Sequence, residues 1–337
     1  SSRCTRVGSP CCPPILDTVF STRDSRQRFT RHHGSRQHLR SSIPSHVTMA
    51  EPDYVVAAHD KYGLPLAFDR ARNSLITGGF DGSIGIWSTD DWSERRRSKG
   101  HEQSVNCGGL SSKGHLVTGS TDTTARIWEL PGLERIAVFE GHTKTVAGLA
   151  THPSDERIAT ASYDSIVRVW NTETDRDPLI LDGHSGNVTS VEFVGDSDYL
   201  VSGGIGDELV VWSLEDGDEQ TRLGGHGQAV VGVTVDPDGQ IWSAGYNGTL
   251  HSWSGGDWSP EDAYELPFDA RPSGLTAHPT EPRLAVSRDG GVSVFSSQGE
   301  LVTEHETSIK GISMPLWSPD GTWLVVGGAD GKIRIYE

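Results

Sequence analysis

The sequence predicts an all-β chain built from seven copies of one four-stranded antiparallel unit, closed into a ring. Three observations predict it. An aromatic residue returns at near-constant spacing. Short strands with period-two alternation, bounded by Gly-rich turns, fill each interval. A strand left over before the first copy matches one missing after the last.

The aromatics are Trp87, Trp128, Trp170, Trp212, Trp253, Phe295 and Tyr336, separated by 41 or 42 residues. A His stands before each unit but the sixth: His59, His101, His142, His184, His226 and His305. Six residues before each aromatic comes a turn position, occupied by Asp81, Asp122, Asp164, Gly206, Asn247, Asp289 and Asp330. The third unit, from Gly141 to Trp170, shows the pattern most completely. A Gly-His opens it, Val146, Gly148 and Leu149 follow, and a polar turn at His152–Asp155 leads into Ile158–Ser162. Asp164 then turns the chain into the strand Ile166–Trp170. A repeat of about 40–45 residues with four short strands is the mark of a propeller blade. The outer strand of each blade precedes the His that opens the next. The chain ends at Glu337, directly after a third strand, and Asp53–Ala58 is unassigned. That segment is therefore expected to supply the outer strand of the last blade, so that the ring has no open end.

These marks, recurring in register, resemble the WD-repeat β-propeller family over residues 53–337. The resemblance implies a chain of hydrogen bonds within a blade, linking the His, a hydroxyl on the second strand, the turn Asp and the third-strand Trp. It points to His59, Thr77, Asp81 and Trp87, then to His101, Thr118, Asp122 and Trp128, and then to His142, Thr160, Asp164 and Trp170. The fourth unit keeps His184, Ser202 and Trp212, and the fifth has His226, Ser243, Asn247 and Trp253. Ala285 and Val326 take the hydroxyl position in units six and seven, where the network is expected to be absent. No unit has Asp after its aromatic, which departs from the family pattern.

Five copies of His, Ser or Thr, and Asp also evoke hydrolase triads, but a triad is one exposed arrangement rather than a motif repeated in register. The Gly pairs 78–79, 203–204 and 327–328 lead into no helix and are read as close-packing positions, not phosphate loops. No catalytic residue, metal site or cofactor is expected.

Charge divides the chain. Residues 1–48 carry eight Arg against Asp17 and Asp24, a net +6, whereas the whole chain is −17, which leaves −23 for the rest. Two domains are read accordingly: a basic leader, 1–48, disordered, a targeting peptide or foreign to the mature protein, and the propeller, 49–337. Within the leader, His32, His33, His38 and Cys11–Cys12 fit no zinc spacing. A body so acidic repels phosphate backbones, so nucleic acid is not an expected partner. Six Lys against 23 Arg beside the surplus carboxylates suit either salt adaptation (a halophilic source) or an acidic protein of a GC-rich genome. No apolar run approaches the ~20 residues that span a bilayer. Cys107 is the one body cysteine, which fits a reducing, cytoplasmic setting.

In a four-stranded meander the d–a and b–c connections share one face, and the a–b and c–d turns share the other. The second face gathers carboxylates, among them Asp69, Glu156 and Asp236 of the a–b turns and Glu261 and Asp262 of a c–d turn, and is read as solvated, or as a dock for a basic partner. On the first, the residue before each turn position includes Phe80, Tyr163, Tyr246 and Arg288. These, with Lys144 beside the third Gly-His, are the expected partner contacts, because aromatics and Arg anchor interfaces. The family resemblance implies the same rim. The expectation is a non-catalytic scaffold, a monomer or a subunit of a larger complex, that binds a protein or peptide there. The rival is an enzyme or small-ligand propeller using the central channel. The even spacing, which leaves no room for a long catalytic loop, weighs against it.

Overall fold

A computed structural model describes residues 51–337 apart from 155, 174–175, 268–270 and 308–310. The leader, with its cysteines and histidines, lies outside the described residues. The described residues form seven four-stranded antiparallel sheets, six of them consecutive meanders and the seventh joining the first described strand to the last three. Blade 1 comprises Gly63–Asp69, Ser74–Gly79, Ser83–Ser88 and Glu94–Lys99, here called strands a to d, and blade 3 comprises Val146–Thr151, Arg157–Ser162, Ile166–Asn171 and Leu179–Asp182. A 3-10 turn at Arg70–Arg72 joins strands a and b of blade 1. No helix among the described residues is long and apolar enough to cross a membrane.

The last blade is completed as the sequence requires. Tyr54–Ala57 pairs antiparallel with Lys332–Tyr336, with Val56 opposite Ile333. Successive a strands pack on one another around the axis. Apolar clusters lie between neighbouring sheets, as where Leu66, Ile76, Ile84 and Ile86 of blade 1 meet Val105, Leu116 and Trp128 of blade 2. The strand-c aromatics are all buried. Strand b is buried along most of its length because it is covered on both faces, whereas strand d is the exposed edge.

The paired glycines are packing positions. A Cβ on Gly78 would stand 2.7 Å from Val105, on Gly204 2.0 Å from the Asn187 carbonyl, and on Gly327 1.8 Å from that of Gly63. A side chain on Gly78 or Gly327 would push neighbouring blades apart, and one on Gly204 would strike the adjoining strand of its own blade.

Strand a is bulged near its start in six blades; in blade 3 the register shifts between Val146 and Gly148. The bulge turns a side chain toward the next blade. Asn106 donates to the Val146 carbonyl at 3.2 Å, Thr189 to that of Val230 at 3.1 Å and Ser273 to that of Ile312 at 2.8 Å. The Ser190 and Thr234 hydroxyls accept the next blade's Val233 and Ala277 amides. These bonds tie the ring around its axis.

Candidate functional site

Two sets of residues need placing: the His–hydroxyl–Asp–Trp sets and the rim of the b–c turns. In blade 2, Trp128 Nε1 donates to the Thr118 hydroxyl at 2.8 Å, which donates to His101 Nε2 at 2.8 Å, and His101 Nδ1 donates to Asp122 at 2.9 Å. Blade 3 repeats this through Trp170, Thr160, His142 and Asp164 at 2.9, 2.8 and 2.9 Å. Both chains require a neutral imidazole with its proton on Nδ1. Blade 1 inserts a relay: His59 Nδ1 donates to Ser83, whose hydroxyl donates to Asp81 at 2.6 Å, while Thr77 joins Trp87 to His59. Thr249 plays Ser83's part in blade 5, between His226 and Asn247, and Ser243 meets His226 Nε2 at 2.6 Å. Trp253 there lies edge-on to His226 and stacks on His251. In blade 4 Ser202 joins Trp212 to His184, and Gly206 offers no carboxylate. Ser83 and Thr249 were missed from the sequence, although both stand two residues after the turn residue, as Thr124 does in blade 2.

Burial pushes the His59 and His184 imidazoles down to about 4 and His226 down to about 3, and lowers His101 and His142 as well. Burial alone would raise Asp122, but the Thr124 hydroxyl and His101 outweigh it and hold the carboxyl at about 2. The hydroxyl, imidazole and carboxylate stand in the order of a nucleophilic triad. However, Thr118 is 0% exposed and its oxygen already accepts the Trp128 N–H, so no substrate reaches it. The arrangement braces the turn and leaves no group for chemistry.

The rim is built on one repeated backbone bond. The amides of Phe80, Thr121, Tyr163, Ile205 and Tyr246 donate, blade by blade, to the carbonyls of Tyr62, Ser104, Thr145, Asn187 and Ala229 at 2.8 to 3.0 Å. Five side chains therefore leave equivalent positions at one end of the strands. Phe80 stacks on Tyr62 with ring centres 4.7 Å apart, and the Arg271 guanidinium covers the Tyr246 ring at 4.5 Å and donates to its hydroxyl. Tyr163 is half-buried, and burial raises its phenol. Ile205 is 39% exposed and Lys144 is exposed.

Arg288 is a correction. It is 6% exposed, sits within strand b of blade 6 and is ion-paired to Glu304, so it cannot act as a rim anchor. Blade 6, whose hydroxyl position is Ala285, has this buried ion pair between its second and outer strands. Arg271, which the sequence reading did not single out, supplies the cation instead.

The opposite face also differs in part from expectation. Asp69, Glu156 and Asp236 are buried rather than solvated. Asp69 holds Arg72 at 2.7 Å, Glu156 accepts from Thr172 and from Ser112 of the neighbouring blade, and Asp236 accepts from Trp242 Nε1 at 3.0 Å. Glu261 and Asp262 belong to strand d of blade 5 rather than to the preceding turn. Among the described residues no group of three or more His, Cys, Asp or Glu could hold a metal ion.

A closed ring of seven four-stranded blades, with a His–hydroxyl–Trp brace in at least four, defines a β-propeller of WD repeats. The family model described as WD domain, G-beta repeat matches residues 92–129, 133–171, 178–213, 217–254 and 297–337, together more than half of the chain, and the chain belongs to that family. The chain is similar to coatomer subunit beta'-2 of Arabidopsis thaliana, 29% identical over 105 residues, covering 29% of this chain and 11% of that one. It is similar to mitochondrial division protein 1 of Saccharomyces cerevisiae, 26% identical over 145 residues, covering 36% and 20%. It is also similar to the guanine nucleotide-binding protein subunit beta of Schizosaccharomyces pombe, 28% identical over 93 residues, covering 27% and 30%. The matched part thus spans less than a third of each of these relatives.

Proposed function

We infer that this propeller is a non-catalytic scaffold that holds a protein or peptide against the face of the b–c turns. The observation that carries this reading is the rim itself: Phe80, Tyr163 and Tyr246 leave equivalent backbone positions, and Lys144 adds an exposed cation without a carboxylate partner among the described residues. Phe80 and Tyr246 are already held, by Tyr62 and Arg271, so little side-chain freedom is lost when a partner covers them. Two similar proteins are named as subunits, which supports a role within an assembly. The buried hydroxyl in each brace weakens the enzymatic alternative.

Affinity purification from the native host tests the reading. Proteins retained by the wild-type chain are lost from Tyr163→Ala/Tyr246→Ala, whose melting temperature stays within a few degrees of wild type. An unchanged set of partners would overturn the choice of face.

A further inference from the structure

On the opposite face, where the a–b and c–d turns emerge, a groove of about 460 Å3 lies between blades 1 and 2, lined by Arg72, Ser74, Ile86, Arg95, Arg96 and Pro131. Plain strand alternation would send Arg95 and Arg96 to opposite sides of strand d. A β-bulge prevents this: Ile86 pairs with Arg96 and Trp87 with Glu94, leaving Arg95 as the extra residue. The guanidinium of Arg95 donates to the Ser74 and Ser88 hydroxyls, both at 3.0 Å, and to the Arg72 carbonyl. Both arginines therefore line one groove. The same bulge carries Ile136 and Ala137 in blade 2, Gln220 and Thr221 in blade 4, and Val302 and Thr303 in blade 6.

Charge is not balanced within the groove. Asp69 takes up Arg72 at 2.7 Å. Arg95 reaches the exposed Asp90 only at 3.4 Å, a surface pair of little strength. Arg96 is exposed, and its side chain has neither an ion pair nor a hydrogen bond among the described residues. Asp91 also lies within the field of Arg95, so Arg96 is the groove's one guanidinium without a carboxylate partner among the described residues, on a face otherwise rich in acid. Ile86 and Pro131 give the groove its apolar lining, and a small adjoining cavity adds Ile76 and Leu130 beside Asp69. A guanidinium fork matches a carboxylate through two parallel hydrogen bonds. The space is far larger than an inorganic anion fills, and its apolar lining suits an aliphatic or aromatic side chain. The acidic surroundings repel extended polyanions, so a short acidic segment fits better than nucleic acid.

We propose that this groove is a second docking site, for a partner-protein segment in which Asp or Glu flanks a side chain the size of Leu, Ile or Phe. The site is on the other face from the aromatic rim and stands independently of the function read there. Fluorescence anisotropy with short labelled peptides tests it, each carrying two Asp around a central Leu, Ile or Phe, alongside Asn and central-Ser counterparts. The wild-type chain binds the best acidic peptide at least about tenfold more tightly than either counterpart. Raising salt from about 50 to about 500 mM weakens that binding. Arg96→Glu removes it without lowering the melting temperature, since Arg96 bonds nothing that holds the fold. The proposal fails if no acidic peptide outperforms its Asn counterpart, or if Arg96→Glu binds equally well. It fails too if the acidic peptides do not bind and sedimentation shows an association of the chain with itself that Arg96→Glu abolishes.

Discussion

Val56 lies opposite Ile333, in the register that joins the first described strand to the last and closes the ring. Val56 is 7% exposed and packs with Ile333, Ile335 and Leu75, while its neighbour Val55 is 50% exposed. The closure is therefore held by one side of a four-residue strand.

Replacing Val56 with Asp places a carboxylate in that cluster and is expected to destabilise the protein by roughly 3 kcal/mol or more. Val55→Asp, one residue away on the solvent side, changes stability by less than about 0.5 kcal/mol. Urea unfolding of the two variants checks this, and equal losses would show that the pairing does not close the ring.

Thr118 serves Trp128 and His101 at once, accepting from one and donating to the other. Thr118→Val keeps the shape but leaves two buried polar groups unpaired, at a cost of roughly 2–4 kcal/mol. Thr118→Ser keeps the hydroxyl and costs about 1 kcal/mol, for the lost methyl. Chemical denaturation distinguishes them, and similar losses for both would mean that the hydroxyl is not what matters.

Acid stability follows from the buried imidazoles. His59, His184 and His226 have folded values of about 4, 4 and 3, below the ordinary 6.5. Their contribution is complete above pH ~6.5. As pH falls below that value, the unfolded chain takes up protons that the folded chain refuses, and stability drops by about 2 kcal/mol per His by pH ~5. The lowered carboxyls of Asp81, Asp122 and Asp164 add a second loss below pH ~4. Urea midpoints across this range should fall well before carboxylates titrate. A flat profile from pH ~7.5 to ~5 would contradict the neutral-His brace.

Tyr336 takes the Trp position in blade 7, where Val326 stands in place of the hydroxyl. Its own hydroxyl is buried without a hydrogen-bond partner among the described residues, and burial pushes the phenol up to about 12. Tyr336→Phe removes an unpaired polar atom, so thermal unfolding should show unchanged or higher stability, by up to about 1–2 kcal/mol. A clear loss would mean that the hydroxyl has found a partner.

The sequence by itself determined the number of blades, their strand order and the closing strand. Each is a matter of period and local alternation, and both are written along the chain. His, hydroxyl, Asp and Trp also recur at fixed separations, and they are hydrogen-bonded in blades 2 and 3, but the relays through Ser83 and Thr249 have no mark of their own in the repeat. Tertiary structure decided what depends on neighbours far away in sequence. Arg288 has the chemistry of a rim anchor, yet Glu304, two strands away on the outer strand of the same sheet, draws it inside. Asp69 and Asp236 read as solvated turn carboxylates, yet they lie buried, Asp69 holding Arg72 and Asp236 the Trp242 indole. The run Arg95–Arg97 lies on an outer strand, where like charges blunt an exposed edge. Only the bulge opposite Ile86 and Trp87, and the approach of Pro131 from the next blade, turn two of those charges into one groove. Periodicity specifies which strands form, but burial and charge pairing are set by contacts between blades, which have no signature in the spacing of a single repeat.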